Sequence, residues 1–132
     1  MPSASRIKGR LAHGGVLLAP VSVQGQIFEF LIDTGAAYTA LSKDVVALLD
    51  IPVDPQQTIL IAPAQGSTFR APVITIQELS VGGFRMVKVA AVVLDFPQEL
   101  KIDGVLGMNV LRRFRLTIEA ETGTLVLRHI ER

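Results

Sequence analysis

The chain has 132 residues, enough for one domain with a buried core but too few for two. Its net charge is +1, from 13 Lys and Arg against 12 Asp and Glu, so the sequence carries no nucleic-acid footprint. It contains no cysteine, which excludes disulfides, thiol catalysis and thiolate metal sites. Apolar residues make up 49% of the chain, which predicts that some apolar surface is buried by self-association.

The N-terminal segment MPSASRIKGR lacks the apolar core of a secretory signal. No apolar run approaches the roughly 18 residues that a membrane-spanning helix needs. We therefore expect no membrane segment in this chain, and either a soluble cytoplasmic protein or the soluble domain of an anchored or exported precursor. We assign residues 1–10 to an N-terminal extension and residues 11–132 to a single domain.

Eight short segments rich in Val, Ile, Thr and Leu predict strands, because turn residues such as Val-Gln-Gly-Gln and Val-Gly-Gly separate them. In chain order they are GGVLLAPVSV, QIFEFLI, YTALS, QTILIA, STFRAPVITIQEL, FRMVKVAAVVL, RLTIEA and TLVLRHI. This pattern is typical of a mostly β fold, either a closed barrel or a sandwich.

Two segments interrupt the strand pattern and predict short helices. In LSKDVVALLDIP, Ser42 is a suitable N-cap for an apolar helix side. In GMNVLRRF, residues 107–114, apolar residues face one way while Arg112 and Arg113 face another. Together with Arg115 these arginines form a basic cluster, which we interpret as a solvated helix face rather than a phosphate site.

One order of elements occurs twice along the chain. A strand, a loop with Asp-Thr-Gly, a strand and a helix are followed later by the strand VKVAAVVL, a loop with Ile-Asp-Gly, the apolar pair Val-Leu and a second helix. The two halves share negligible sequence identity, so this repeat is a hint about topology only.

A carboxylate lies at the end of an apolar strand in FEFLIDTGAAYTALS, residues 28–42. Asp33 follows the apolar residues directly and precedes a threonine and a glycine. A buried carboxylate is costly unless it is paired, hydrogen-bonded or protonated. Asp33 is therefore either part of an ordinary Asx turn or a group that does chemistry.

This segment resembles the active-site segment of the retropepsin-like aspartic proteases, in which apolar residues precede Asp-Thr-Gly-Ala. Downstream, IDGVLGMNVLRRFRLTIE resembles the second landmark of that family, an apolar pair and a glycine that open a helix: Val105, Leu106, Gly107 and then Asn109. Between the landmarks, TILIAPAQGSTFRAPVITI lies where the family has its flap hairpin. The resemblance covers roughly residues 11–128 and implies a retropepsin-like closed β-barrel, with one or two short helices and one lobe per chain.

The resemblance implies an aspartic endopeptidase with Asp33 as its catalytic residue and Thr34, Gly35 and Ala36 as its active-site loop. Hydrolysis of an amide by water needs a general base and a general acid, and two adjacent carboxyls that share one proton supply both. The chain has a single Asp-Thr-Gly, so the other carboxylate must come from a second copy, and we expect a twofold homodimer. The expected partners are this second copy and a peptide or protein substrate, with no nucleic acid, no cofactor and no metal.

The loop residues have expected roles of their own. In the family, the threonine bonds the partner's backbone, and the glycine allows close approach and donates its amide to the carboxylate. Ala36 lacks the hydroxyl that pepsin-like enzymes usually carry at this place, so one hydrogen bond to the ionised pair is missing. The candidate substrate-binding residues are Ala37, Ile61, Ala62, Gly66, Phe69 and Val105, which favour apolar side chains on either side of the scissile bond.

Two other interpretations stay open. A non-catalytic peptide-binding or dimerisation module would use the same fold with Asp33 as a hydrogen-bonding residue only. An unrelated small β-barrel would use Asp-Thr-Gly as a turn. Asp103 is assigned to ordinary Asp-Gly turn chemistry and Tyr38 to the pocket wall or the core. The C-terminal TLVLRHIER is a candidate for an additional strand at the dimer interface.

Overall fold

The computed structural model describes residues 4–130. The eleven strands within these residues are β1 (Ala4–Lys8), β2 (Arg10–Leu11), β3 (Leu17–Val23), β4 (Gln26–Ile32), β5 (Thr39–Ser42), β6 (Thr58–Ile61), β7 (Phe69–Val81), β8 (Phe84–Leu94), β9 (Gly104–Leu106), β10 (Phe114–Glu119) and β11 (Thr124–His129). The helices are α1 (Lys43–Leu48) and α2 (Met108–Leu111), and two 3-10 turns occupy His13–Gly15 and Gln98–Leu100. Across this part of the chain, no helix is both long and apolar enough to cross a membrane.

Six strands close into a barrel. Its order is β3, β4, β9, β5, β8 and β7, and the circle closes because β7 pairs with β3 through Ser80 opposite Ser22 and Leu79 opposite Val23. The short hairpin strand β6 extends β7 beyond the barrel. The prediction of a mostly β, closed-barrel fold with short helices is confirmed.

The three-residue strand β9 lies between the two strands that flank Asp33. It runs parallel to β4 and antiparallel to β5, while β5 runs parallel to β8. Exchanging β4 with β8 and β5 with β9 therefore reproduces the same set of pairings, which is the topological repeat expected from the sequence. This arrangement brings the end of β4 beside the end of β9.

Apolar residues that alternate along the barrel strands fill the main core, with Phe30, Leu41 and Leu106 fully buried. The predicted helix cap is confirmed, because Ser42 Oγ accepts a hydrogen bond of 3.1 Å from the Val45 amide. Helix α2 buries Val110 and Leu111 against the same core. Its exposed continuation, Arg112 and Arg113, agrees with the interpretation of a solvated face.

A second, smaller apolar cluster lies under the β6–β7 hairpin, and we call it the hairpin-side cluster. Its buried members are Ala40, Ala71, Val92 and Val105. Half-buried apolar residues complete it: Leu31, Ala36, Ile59, Ile61, Val73, Leu94, Phe96 and Ile102. This cluster contains residues from the Asp33 loop, from the hairpin and from β9, so it connects all three.

The terminal strands form a separate three-stranded sheet in the order β1, β11, β10. Strand β1 comes from the segment assigned to an N-terminal extension, and its Ile7 is buried in the main core. Arg6 on β1 donates two hydrogen bonds to the Glu119 carboxylate at the far side of the sheet, the shorter of 2.7 Å. The C-terminal strand β11 is the middle strand, so both of its edges are already paired within the chain.

Candidate active site

The Asp33 loop is anchored at its start by β9. The Asp33 amide donates to the Leu106 carbonyl over 3.1 Å, which continues the β4–β9 pairing by one residue. The Ala36 amide donates to the Asp33 carbonyl over 3.2 Å and closes a tight turn. The backbone around the carboxylate is therefore fixed by the sheet.

The Asp33 side chain is half-buried and accepts one backbone hydrogen bond. The Gly35 amide donates to Asp33 Oδ1 over 2.9 Å. A Cβ atom at position 35 would lie 3.2 Å from that same oxygen, so glycine permits this close approach. The carboxylate is thus oriented by its own loop, and its other oxygen has no partner among residues 4–130.

The start of α2 holds the far end of the loop. The Met108 amide donates to the Ala36 carbonyl over 2.7 Å, and the Asn109 amide donates to the Ala37 carbonyl over 3.1 Å. Gly107 makes this docking possible, because a Cβ atom there would lie 2.5 Å from the carbonyl carbon and oxygen of Tyr38. The second sequence landmark therefore positions the first one.

A network of side-chain hydrogen bonds reinforces the same junction. Asn109 Oδ1 accepts from both the amide and the hydroxyl of Thr39, each over 2.8 Å, and Asn109 Nδ2 donates to the Ala90 carbonyl over 2.8 Å. The Thr39 hydroxyl in turn accepts from the Gly107 amide over 3.2 Å. Thr39 is completely buried, so its two donors are shielded from water, whereas Asn109 is half-buried. The sequence pointed to Asn109, but its partner Thr39 was missed.

The three loop residues after Asp33 differ in exposure. Thr34 and Gly35 are exposed, while Ala36 is half-buried in the hairpin-side cluster. The Thr34 side chain forms no hydrogen bond within the described part of the chain. The exposed tip of the loop is therefore free to meet another molecule.

The candidate substrate-binding residues divide into two groups. Ile61 and Val105 lie in the hairpin-side cluster together with Ala36. The remaining four are exposed at the loop or along the hairpin: Ala37, Ala62, Gly66 and Phe69. Phe69 pairs with Ile61 across the β6–β7 ladder, and Gly66 has a positive φ of 95° in the turn between the strands.

A pocket that the sequence did not predict lies beside this cluster. It has a volume of about 430 Å³, and its apolar lining includes Leu18 and Leu31 from the barrel and Leu100 and Ile102 from the loop before β9. Leu31 and Ile102 also belong to the hairpin-side cluster. Arg10, which approaches Glu29 to 3.8 Å, lies at the same pocket. Sequence alone could not identify it, since its walls come from distant segments.

Two further residues singled out in the sequence, Asp103 and Tyr38, lie outside the hydrogen bonds that hold the Asp33 carboxylate. Asp103 Oδ2 accepts from the Glu29 amide over 2.9 Å, at the end of β9 that is remote from Asp33. Asp103 therefore holds β4 and β9 together and is not part of the Asp33 loop. Tyr38 is 43% exposed, so the core assignment for it is wrong.

No group of three or more His, Cys, Asp or Glu side chains in residues 4–130 is arranged to hold a metal ion. Every buried side-chain nitrogen and oxygen in this part of the chain has a hydrogen-bond partner. The site therefore consists of one oriented carboxylate on a partly exposed loop, whose Ala36 belongs to an apolar cluster that the β6–β7 hairpin shares.

Comparisons with known proteins agree with this description. The sequence profile of the family described as "gag-polyprotein putative aspartyl protease" matches residues 19–113. A retropepsin-like aspartic protease from Rickettsia conorii has a crystal structure that is similar to this fold, with a TM-score of 0.67 and 22% sequence identity. The alignment covers 96% of this chain and 90% of that protein. Among curated proteins, no sequence matches this chain.

Proposed function

This chain belongs to the gag-polyprotein aspartyl protease family, and from that membership we propose that it is an aspartic endopeptidase whose active site forms between two copies. The observation that carries the proposal is the single oriented carboxylate of Asp33 on a loop whose tip is exposed. A carboxylate pair is needed to activate water and protonate the substrate. One chain contributes half of that pair.

A twofold axis at the loop tip brings each Asp33 to face its own copy. Two carboxylates at such a distance do not both ionise easily, so the pair retains one proton. The ionised member then accepts a proton from a water molecule as the water oxygen attacks the scissile carbonyl carbon. The protonated member donates its proton to the carbonyl oxygen, and no covalent bond forms between enzyme and substrate.

The tetrahedral intermediate then collapses. The protonated carboxyl gives its proton to the departing nitrogen, the other carboxylate takes a proton from one hydroxyl of the intermediate as the C=O bond re-forms, the C–N bond breaks, and a carboxylic acid and an amine leave. The pair ends with the one proton with which it began, so the cycle is balanced.

The loop supports this chemistry through its backbone. The Gly35 amide stabilises the ionised form of Asp33, because it donates a hydrogen bond to the carboxylate. Thr34, whose side chain is exposed, would bond the backbone of the partner subunit and lock the two loops together. Both roles are proposals that follow the family pattern.

The substrate class is a peptide with apolar side chains near the scissile bond. The β6–β7 hairpin serves as the flap in this proposal, which is supported by Ile59, Ile61 and Ala71 on it packing into the same cluster as Ala36 of the Asp33 loop. The pocket next to Leu31 offers about 430 Å³, enough for a large aliphatic or aromatic side chain. Phe69 remains exposed beside Ile61 and is available to contact the substrate.

A second candidate function is a peptide-binding module that never brings the two carboxylates together. The apolar hairpin-side cluster and the neighbouring pocket would serve such a module equally well. The two functions differ in one measurable property, since only the protease requires the carboxylate charge of Asp33 for turnover.

The deciding experiment digests a peptide library with wild-type protein, with Asp33→Asn and with a matched control, Asp44→Asn, at an exposed helix position. The Asp33→Asn substitution keeps the size of the side chain and its hydrogen bond to Gly35, so folding should survive while cleavage disappears. Mixing wild type with excess Asp33→Asn should lower activity beyond simple dilution, because mixed dimers lack one carboxyl. Chelators should have no effect. Cleavage by Asp33→Asn at the wild-type rate would leave the binding module as the better explanation.

A further inference from the structure

One face of the terminal sheet packs on the main core and the other face is turned to solvent. Leu125 and Leu127 of β11 are completely buried in that core. Successive side chains of a strand point to opposite faces, so Val126 and Arg128 of the same strand point away from the core. Residues that pair directly across neighbouring strands share a face, which extends this assignment to β1 and β10. We call the surface that points away from the core the outer face.

Cations dominate the outer face. Row by row from β1 through β11 to β10, it consists of Ala4, Arg128 and Arg115, then of Arg6, Val126 and Thr117, and then of Lys8, Thr124 and Glu119. All four cations among these nine residues are exposed. Four positive charges against one carboxylate give the outer face a net charge of +3, whereas the whole chain has a net charge of +1.

Two of these cations repel each other. Arg115 and Arg128 lie directly opposite on antiparallel strands, where like charges are destabilising. Neither arginine forms a salt bridge within residues 4–130. Arg6, by contrast, is bound to Glu119 over 2.7 Å. An anionic partner that approaches the outer face would relieve the repulsion between Arg115 and Arg128, so this pair favours the binding of negative charge.

Further positive charge adjoins the same end of the sheet. Arg112 and Arg113 directly precede β10 and are exposed. They line a pocket together with His129, the last residue of β11 and the neighbour of Arg128. In the described part of the chain, no salt bridge includes either of them. Six of the 13 Lys and Arg residues of the chain therefore lie on or beside the outer face.

We propose that the outer face binds the surface of an anionic phospholipid membrane. Neighbouring strands are about 4.8 Å apart and alternate residues of a strand about 7 Å apart, so the four cations share a patch of about 10 by 14 Å. Guanidinium groups bind phosphate oxygens through paired hydrogen bonds. The residues between the cations are short, namely Ala4, Val126 and the two threonines. They form no groove for the side chains of an acidic peptide, so the outer face fits a flat array of phosphate headgroups better.

Docking through the outer face leaves the candidate active site accessible. The terminal sheet packs on the main core through residues such as Ile7, Phe114 and Leu127. The hairpin-side cluster, which contains Ala36 of the Asp33 loop, includes no described residue of β1, β10 or β11. The sheet and the hairpin therefore rest on different parts of the molecule. This inference goes beyond the proposed function, because membrane binding does not require proteolysis.

Co-sedimentation of the full chain with vesicles tests the proposal. At low ionic strength, the protein should sediment with vesicles of equal parts phosphatidylcholine and phosphatidylserine but not with pure phosphatidylcholine, and added salt should release it. A cation near an anionic membrane contributes about fivefold in affinity, so the double variant Arg115→Gln/Arg128→Gln should bind about 25-fold more weakly. The matched control Arg70→Gln/Lys101→Gln removes two exposed cations outside the terminal sheet and should bind like wild type.

Urea denaturation shows whether the double variant is folded. Arg115→Gln/Arg128→Gln should be at least as stable as wild type, because it removes the repulsion between the two strands. Weaker vesicle binding by a variant of unchanged or greater stability is then an effect on the surface alone. A clear loss of stability in this variant would contradict the repulsion from which the proposal is argued.

A fluorescent label tests which surface meets the membrane, since the natural chain contains no cysteine. Thr117→Cys places an environment-sensitive label at the middle row of the outer face, and its emission should shift to shorter wavelength with phosphatidylserine vesicles. Thr75→Cys on β7 is exposed but lies outside the terminal sheet, so its label should not shift. A shift at Thr75→Cys without one at Thr117→Cys would overturn the proposal.

The remaining outcomes also decide the question. Equal binding to both kinds of vesicle, or an equal loss of binding in the control variant, would overturn the proposal. Displacement by inorganic phosphate at the same phosphate concentration would mean that the outer face holds single phosphate ions instead of a membrane. Binding to immobilised polyglutamate without binding to vesicles would assign the outer face to an acidic protein partner. All these readouts are independent of peptide cleavage, so a failure here leaves the proposed protease activity intact.

Discussion

Asn109 Oδ1 accepts two hydrogen bonds from Thr39, one from the backbone amide and one from the hydroxyl, each 2.8 Å long. The two residues are 70 positions apart in the chain and belong to the two landmarks of the sequence. This pair fixes the distance between the Asp33 loop and α2. The rigidity of the candidate active site therefore depends on a side chain that does not touch the carboxylate.

Removing the amide of Asn109 should loosen this junction. In Asn109→Ala both Thr39 donors lose their acceptor in a buried place, so the free energy of unfolding should fall by about 2 kcal/mol or more. Urea denaturation measures this loss. Thr39→Ser keeps the amide and the hydroxyl and is the matched control, and a comparable loss in that variant would assign the effect to packing instead.

Gly107→Ala should lower the melting temperature more than Gly66→Ala, which adds an alanine at the hairpin turn. The new Cβ atom would lie 2.5 Å from the Tyr38 backbone, so α2 or the loop must shift. Gly66→Ala meets no atom within 4 Å and costs only the left-handed backbone conformation, about 1 kcal/mol. Thermal unfolding of the two variants compares these costs, and equal melting temperatures would contradict the close packing at Gly107.

Ala36→Ser should move the acidic limb of the activity profile to lower pH. A hydroxyl at this position would add a hydrogen-bond donor for the carboxyl pair, and a donor to a carboxylate favours its charged form, so activity should extend toward acid. The profile of kcat against pH measures the shift. Ala37→Ser, at the next and exposed position, is the control, and an identical shift there would mean that position 36 has no special access to the carboxylates.

Asp103→Ala should destabilise the fold while leaving turnover per folded molecule unchanged. The Glu29 amide would lose its partner in a half-buried place, at a cost of about 1 to 3 kcal/mol in the free energy of unfolding. Equilibrium denaturation and active-site titration separate stability from catalysis. A fall in kcat for fully folded Asp103→Ala would assign Asp103 to the site after all.

Regular patterns made much of the fold predictable. The alternation in β3 and β4, the long hairpin of β7 and β8, and the Ser42 cap are local features, and each was predicted from adjacent residues. Strands β1 and β9 were not predicted as strands. Their short sequences have no period of their own, and they are extended because distant strands pair with them.

The same contrast between local patterns and long-range contacts holds for the residues of the candidate site. Asp33 and Asn109 belong to short motifs and stood out in the sequence. Thr39 and the pocket at Leu31 did not, because their roles depend on groups that only the closed barrel brings near. The one available signal for Thr39 was a hydroxyl-bearing residue directly after the candidate active-site loop.

The pairing of β9 between β4 and β5 also dictates when this site can form during biosynthesis. The contacts that hold the Asp33 loop come from residues 106–109, and contacts between such distant residues form late because the intervening chain must first be closed into a loop. A ribosome-bound chain that has not yet released Asn109 cannot order the loop around Asp33. The nascent protein is therefore unable to display an ordered Asp33 loop until residues 106–109 have left the ribosome.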